Sequence, residues 1–497
     1  MTEIITVEPY NEVHMIVKAD PGTREELRDY FSFRPEGYQF TPAYKNKIWD
    51  GVIRLYIPMR PLLYVGLLDY VRKFCSDRGY ELRIPRELDE KELIDDDYAY
   101  QLAKTIGLPK KFEVRDYQND YIVNALRERR SLSLSPTSSG KSLIQYLIMR
   151  HYYEQLGLRT VIIVPTVGLV HQMEGDFIDY GCDPKLIHKI MSGAEKKTSC
   201  PIVVTTWQSL AKMDADYLNS FGVVFGDEAH NFTAKSLTGI MDKMVHVKYR
   251  HGFTGTISSE SKVHRLVLEG LFGSIKRYVT TKDLMDSGTV ADFKVKALIL
   301  NHNITTKSEL RSKQKGADKA KRYAIEKDFL VNMEPRNIFL RNLVWSLKDQ
   351  NNLILFDLVE KHGKVLEPLL RKEGRVLHFI HGGVNGLERE RIRHLIEEDP
   401  LKRHDILASY GTFSTGVNLK RIDNAIFASG YKSEVRVLQS IGRTLRKGNG
   451  SDNAVLYDIT DDLSVGDADN YTLTHFKKRI EMYAAEQFPF RIFNINI

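Results

Sequence analysis

The sequence predicts an α/β protein built from two parallel-sheet domains in tandem, with a small α/β or α+β domain ahead of them. Two observations carry that expectation. Strand-length apolar runs such as "TVIIVPT", "PIVVTTW" and "GVVFGDE" alternate with helix-length segments such as "KSLIQYLIMRHYYEQ" and "GLVHQMEGDFIDYG". Near-continuous Val/Ile runs suit parallel strands buried on both faces, and the helices supply the crossovers. A second series of the same texture begins near Asp292: "FKVKALIL", "NNLILFD", "RVLHFIHGG", "HDILASY", "NAIFASG" and "AVLYDIT". Ligands of such sheets are expected at the carboxyl ends of the strands.

Residues 1–90 break short apolar runs with Pro and Gly turns, as in "VHMIVKADPGT" and "WDGVIRLYIP", and read as the small first domain. Residues 91–110 belong to an acidic stretch, "ELDEKELIDDDYAY" (Glu87–Tyr100), expected to be a solvated linker or a short surface helix. The first parallel-sheet domain is assigned to 111–288, and the second, with a C-terminal helix, to 289–497. Within the second, "KSELRSKQKGADKAKRYAIEK" (Lys307–Lys327) is very basic and is expected to be an exposed helix pair or a mobile insertion.

Composition narrows the class. Cys75, Cys182 and Cys200 lie far apart, without metal-ligand or disulfide spacing, which points to a reducing compartment. The start "MTEIITVEPYNEVHM" has acids where a signal peptide needs a basic region and an apolar run, and no apolar run is long enough to span a bilayer. A cytoplasmic protein is expected. A formal charge of +7 is compatible with a nucleic-acid partner without identifying one.

Three short motifs carry chemistry. "SLSLSPTSSGKSLIQYLIMR" (Ser131–Arg150) has a strand, a turn and a helix with Gly140-Lys141-Ser142 at the junction. A phosphate loop needs inward backbone N–H groups, a Lys for the β/γ-phosphates and a hydroxyl for Mg²⁺. The alternative is a helix start capped by Ser139. In "FGVVFGDEAH", an apolar strand delivers Asp227 and Glu228 to the carboxyl edge of the sheet. Asp227 suits Mg²⁺, and Glu228 suits the orientation or deprotonation of an attacking water. In "QSIGRTLRKG", Arg443 and Arg446 share a helix face and suit charge developing on a γ-phosphate, the alternative being a solvated basic face.

Taken in order, these segments resemble the motifs of superfamily two helicases and translocases over about residues 112–485. "RDYQ" resembles the Q-type motif, which assigns Arg115 and Gln118 to the adenine end of the nucleotide. "SPTSSGKS" resembles that family's A-P-T-G-S-G-K-T loop, assigning Ser135, Pro136, Thr137, Ser138, Ser139, Gly140, Lys141 and Ser142 to the phosphates. Ser138 stands where the family has Gly. "VPTVGLVHQ", "TTWQSL", "DEAH", "GFTGT", "STGVNL" and "QSIGRTLR" resemble motifs Ia, Ib, II, III, V and VI. The resemblance implies two RecA-like domains with ATP in the cleft between them. Lys141, Ser142, Asp227 and Glu228 would come from the first, and Gly416, Asn418, Arg443 and Arg446 from the second. ATP is then the substrate and Mg²⁺ the cofactor, held by Ser142 and Asp227.

The same resemblance points Thr166, Thr205, Thr206 and Trp207 toward a nucleic-acid strand. A motor that moves along a strand grips phosphates and does not read sequence. Trp207 suits stacking on a base or a place in the core. Lys313, Lys315, Lys321 and Arg322 in the basic segment suit duplex backbone or a solvated face. In the first domain Arg34, Lys45, Lys47 and Arg54 interleave with Phe31, Phe33, Tyr38, Tyr44 and Trp49, a mix that suits DNA contact or a small core. "FTPAYKNKIWDGVIRLY", followed by the acidic stretch and "RDYQ", resembles phage recombination helicases. That likeness implies a monomeric motor in the host cytoplasm that remodels stalled forks, four-way junctions and RNA–DNA hybrids. Within the class, an RNA helicase or a duplex translocase serving a nuclease partner are the alternatives. From another class, a nucleotide kinase would explain the phosphate loop but not a second α/β domain bearing motifs V and VI.

Overall fold

A computed structural model of the protein describes residues 3–35, 37–191, 197–257, 262–398, 402–414, 422–430, 453–466 and 468–497. The chain divides into two compact units, Met1–Val279 and Thr280–Ile497.

The first unit opens with a four-stranded sheet in the order Leu62–Tyr64, His14–Lys18, Ile4–Pro9, Glu81–Arg83. Ile4–Pro9 runs antiparallel to His14–Lys18 and parallel to Glu81–Arg83. Helix Pro21–Tyr30 starts where the Asp20 carboxylate accepts from the N–H groups of Gly22 and Thr23, with Pro21 pre-set for the first turn. Helix Leu68–Arg78 stops at Gly79, whose φ of 69° is the left-handed cap. The core joins Ile5, Val7, Met15, Val17, Leu27, Phe31 and Phe74. Of the aromatics read as DNA contacts or core, Phe31 is fully buried. Tyr38 and Tyr44 pack edge to face at 4.9 Å, and the Arg34 guanidinium lies over Tyr38 at 5.5 Å.

The acidic stretch is docked rather than solvated. Arg127 donates through Nε to the Ile94 carbonyl, and Asn119 Nδ2 donates to the Asp96 carbonyl at 2.7 Å. Helix Tyr98–Thr105 then buries Ala99, Leu102 and Ala103 in the core of the next domain. Two acids of the stretch are paired as well, Asp96 with Arg127 at 2.7 Å and Glu92 with Arg129 at 2.8 Å, which a count of charges does not reveal.

That next domain is a seven-stranded parallel sheet in the order Ile275–Lys276, Arg130–Leu134, Tyr249–Thr254, Val223–Asp227, Thr160–Val164, Ile202–Thr206, Ile187–Ile190. The four central strands from Tyr249–Thr254 to Ile202–Thr206 are buried along their whole length; three of them read as largely apolar runs, while Tyr249–Thr254 buries Arg250 and His251. Helices Lys141–Leu156 and Val167–Asp179 cover one face.

The second unit holds another seven-stranded parallel sheet, ordered Val376–Ile380, His404–Ser409, Asn352–Phe356, Asn424–Phe427, Asn453–Asp462, Asp292–Asn301, Phe490–Asn496. The last strand, "FRIFNIN", lies beyond the C-terminal helix that was expected to end the domain. The basic segment forms the helix pair Ile304–Gln314 and Lys319–Val331, packed through Leu310, Leu330 and Leu463. Its buried Glu326 carboxylate accepts from the Tyr471 and Thr472 N–H groups and so caps helix Tyr471–Ala485. The pair is thus anchored, with Lys315, Lys321 and Arg322 exposed.

Candidate functional site

Strand Arg130–Leu134 feeds directly into the turn Ser135–Gly140 and helix Lys141–Leu156. The Ser135 N–H donates to the Thr254 carbonyl at 2.9 Å, which fixes the turn to the neighbouring strand. Ser138 and Gly140 adopt φ of 68° and 81°, so the turn is left-handed twice. At Gly140 the conformation is free, whereas at Ser138 it costs about 1–3 kcal/mol. Gly140 occupies the helix N-cap and offers no side-chain cap. Ser139 does not cap the helix either, because its buried Oγ has no hydrogen-bond partner. The serine-capped alternative therefore does not describe this turn. The first N–H groups of a long helix face a loop instead, which is the arrangement that binds anions.

Gln118 explains the need for glycine at position 140. Its Oε1 accepts from the Arg115 N–H at 2.9 Å and its Nε2 donates to the Ser139 carbonyl at 2.9 Å. A Cβ on Gly140 would lie 2.3 Å from that Nε2. Tyr117, one residue earlier, donates its hydroxyl to the same Ser139 carbonyl at 2.8 Å and accepts from Arg115 at 2.8 Å. Both ends of the Gln118 amide are thus used inside the protein, holding the loop in place.

Lys141 Nζ donates to the carbonyls of Ser135 at 3.1 Å and Pro136 at 3.2 Å, folded back over the loop. Ser142 shares a hydrogen bond with the Tyr180 hydroxyl at 2.9 Å. Asp227 ends its strand at 9% exposure, and its Oδ1 accepts from Gln145 Nε2 at 3.3 Å. Burial, then the charge of Glu228, push the Asp227 carboxyl up to about 7, with Lys141 pulling the other way. Glu228 follows at φ 49°, in the left-handed region. Its Oε2 is buried without a hydrogen bond, 3.5 Å from His230 Nδ1. His230 in turn meets Thr254 Oγ1 at 3.0 Å, joining the DEAH turn to the "GFTGT" strand.

Ser138 Oγ, Ser139 Oγ, Gln145 Oε1, Glu228 Oε2 and Thr256 Oγ1 are all buried and without partners. Buried polar atoms are nearly always satisfied, so a group of orphans around one loop marks a place built for a polar ligand. Hydroxyls, a lysine and two carboxylates are a donor set that fits a nucleotide phosphate with a hard, oxygen-ligated cation. Gln145 and Tyr180 were missed from the sequence. Gln145 had a signal, since it sits one helical turn after Lys141; Tyr180, 38 residues from its partner, had none.

The strand-facing set is only partly brought together. Thr166 and Thr206 line one 520 Å³ groove, with Gln208, Ser209 and Lys212. Thr205 does not join them: it is fully buried and its hydroxyl donates to the Ile190 carbonyl at 3.0 Å. Alternation along a strand turns neighbouring residues to opposite faces, so adjacent threonines cannot both face the groove. Trp207 is partly buried, packs against the sheet core and lines a separate 240 Å³ cavity with Asp227 and Phe232. In the second unit Lys313 pairs with Glu309 at 2.9 Å, and Arg322 Nε donates to the Ala317 carbonyl at 2.8 Å. Gly416, Asn418, Arg443 and Arg446 lie outside the described residues.

Comparison with known proteins agrees along the chain. Residues 5–85 match the family model "DNA helicase UvsW, N-terminal", 111–259 match "Type III restriction enzyme, res subunit", and 336–448 match "Helicase conserved C-terminal domain". The ATP-dependent DNA helicase uvsW of Enterobacteria phage T4 is 34% identical over 97% of this chain and 98% of its own length. The crystal structure of T4 UvsW covers all of both chains at 31% identity with a TM-score of 0.52. The DNA 3'-5' translocase XPB2 of Sulfurisphaera tokodaii is 23% identical over 76% of this chain and 86% of its own length. With a relative this similar along nearly its whole length, the chain belongs to the UvsW family of superfamily two DNA helicases.

Proposed function

We propose that this helicase remodels branched DNA, including stalled forks, four-way junctions and RNA–DNA hybrids, as a monomeric ATP-driven motor in the host cytoplasm. The observation that carries the motor reading is the convergence of Lys141, Ser142, Asp227 and Glu228, with their orphaned neighbours, on one carboxyl edge of a parallel sheet. In this reading Lys141 leaves the loop carbonyls for the β/γ-phosphates. The loop Ser135, Pro136, Thr137, Ser138, Ser139 and Gly140 offers backbone N–H groups to the same oxygens. Ser142 and Asp227 hold Mg²⁺, which neutralises charge on the phosphates. Glu228 orients the attacking water through its free oxygen. Arg115 and Gln118 support the base end, and Arg443, Arg446, Gly416 and Asn418 act from the domain assigned to 289–497.

On the DNA side, Thr166 and Thr206 offer hydroxyls to a phosphate backbone along their groove. Lys315, Lys321 and Arg322 supply exposed charge, and binding through such contacts weakens steeply with salt. The deciding experiment is the ATPase rate with no polynucleotide, single-stranded DNA, duplex DNA, a four-way junction and RNA, at one salt concentration. The greatest stimulation is expected with the junction. Stimulation by RNA alone would overturn the reading in favour of an RNA helicase.

A further inference from the structure

Helix Val167–Asp179 touches both sites of this motor. Its N-cap is Thr166, which lines the strand groove, and its C-cap is Tyr180, whose hydroxyl holds Ser142 at 2.9 Å. Thirteen residues of helix make a rod of roughly 20 Å. Val170, Met173 and Phe177 bury one face of it in the core, so its two ends move together. Tyr180 is fixed on the rod: its ring packs against Tyr146 at 5.5 Å and edge-on to Phe112 at 4.7 Å. Burial pushes its phenol up to about 12, so it is a neutral hydroxyl at physiological pH.

Ser142 is the hydroxyl assigned to Mg²⁺, and it is only half-buried. The bond to Tyr180 leaves Ser142 Oγ a lone pair for a cation but fixes its direction, toward the helix C-cap. We propose that Tyr180 is a positioning residue that holds Ser142 away from Mg²⁺ until a strand in the Thr166 groove shifts the helix and releases it. The inference rests on the nucleotide and strand assignments above. It makes coupling between the two sites a property of one hydrogen bond at the far end of one helix. Linkage then requires the effect to be reciprocal: strand strengthens Mg²⁺-dependent nucleotide binding as much as Mg²⁺-nucleotide strengthens strand binding.

The test uses the full chain and calorimetric titration with ADP, with and without Mg²⁺, and with and without a single-stranded oligonucleotide. Tyr180→Phe keeps the ring and removes the hydroxyl, and water can serve the half-buried Ser142 in its place. Without strand, ADP affinity in Mg²⁺ is expected to rise roughly threefold to tenfold, the range of one net hydrogen bond. Affinity without Mg²⁺ is expected to stay unchanged, and the extra gain from adding strand is expected to shrink. Tyr146→Phe is the packing control: its hydroxyl serves Arg150, so its values should match wild type. Equal or weaker Mg²⁺-ADP binding in Tyr180→Phe, with normal coupling in wild type, overturns this inference alone. A wild-type protein that binds no Mg²⁺-ADP overturns the nucleotide assignment and this inference with it.

Discussion

Asp227 asks a single carboxylate to ionise where burial and Glu228 both oppose it. The consequence for stability follows from linkage. Its ordinary value of 3.8 applies to the unfolded chain, and its folded value is raised to about 7. Between those values the unfolded state ionises and the folded state does not, so the aspartate destabilises the fold progressively as pH rises, and the loss levels off above the folded value. Asp227→Asn is therefore expected to raise the melting temperature of the Mg²⁺-free protein, more at pH about 8 than at pH about 5. An equal gain at both pH values would place the ionisation elsewhere. Glu228 makes a sharper kinetic case, because its Oε2 accepts no hydrogen bond in the resting site. Glu228→Gln is expected to lower ATP hydrolysis by about 10²–10⁴-fold while ATP still binds, as read by single-turnover rate and nucleotide titration. These acids were legible in the sequence because strand and motif coincide in "FGVVFGDEAH". Tyr180 was not, because tertiary folding alone brings it to Ser142.

The phosphate turn shows why an element can depart from its family pattern and still form. Ser138 holds φ 68° where glycine would pay no steric cost, and its Oγ is buried without a partner. Neighbouring anchors over-determine the turn: Ser135 to the Thr254 carbonyl on one side, Gln118 and Tyr117 to the Ser139 carbonyl on the other. Ser138→Gly is expected to stabilise the nucleotide-free protein by about 1 kcal/mol, seen as a higher melting temperature. A fall in stability would mean that the serine side chain supports the turn. Gly140→Ala should fail for two reasons at once, its φ of 81° and a Cβ 2.3 Å from Gln118 Nε2, and should abolish nucleotide binding. Clearance for Gln118 is a reason for that glycine that no local pattern carries, since Gln118 lies 22 residues earlier. Other elements divide the same way. Buried parallel strands were legible from their Val/Ile runs. The edge strand Phe490–Asn496 was not, since half-exposed edges carry a weaker apolar signal. The docking of the acidic stretch was not legible, because the partners of Asp96 and Glu92, Arg127 and Arg129, lie 31 and 37 residues further on.

In the first unit, the small N-terminal domain and the phosphate-loop domain share a packed boundary. Leu266 from the second belongs to the core of the first. Tyr70 donates its hydroxyl to Glu269 Oε2 at 2.6 Å, Tyr64 donates to Asp242 Oδ1 at 3.2 Å, and Arg130 donates to the Glu12 carbonyl. Gly66 sits so close that a Cβ there would meet the Glu269 carbonyl at 2.1 Å. The sequence showed a domain of separate texture, but not that its boundary is closed by backbone contact, because that contact depends on glycines with no local turn to mark them. Removing residues 1–90 would expose Leu266 and take the Tyr70 and Tyr64 hydroxyls away from the buried Glu269 and the partly buried Asp242 carboxyls. It would also strip Arg130 of the Glu12 carbonyl, and burial already depresses that guanidinium to about 10. Losing one partner of a buried polar pair costs more than the pair contributed, because the survivor keeps its desolvation penalty. The truncated chain is therefore expected to melt several degrees lower than the full chain, by scanning calorimetry, before any question of DNA arises. A DNA role for this domain is better read from the full chain with Lys45→Ala and Lys47→Ala, which alter exposed charges and leave the boundary intact. Weaker junction binding at an unchanged melting temperature would assign the domain to DNA. An unchanged melting temperature in the truncated chain would instead show that the boundary contributes nothing to the stability of the motor domain.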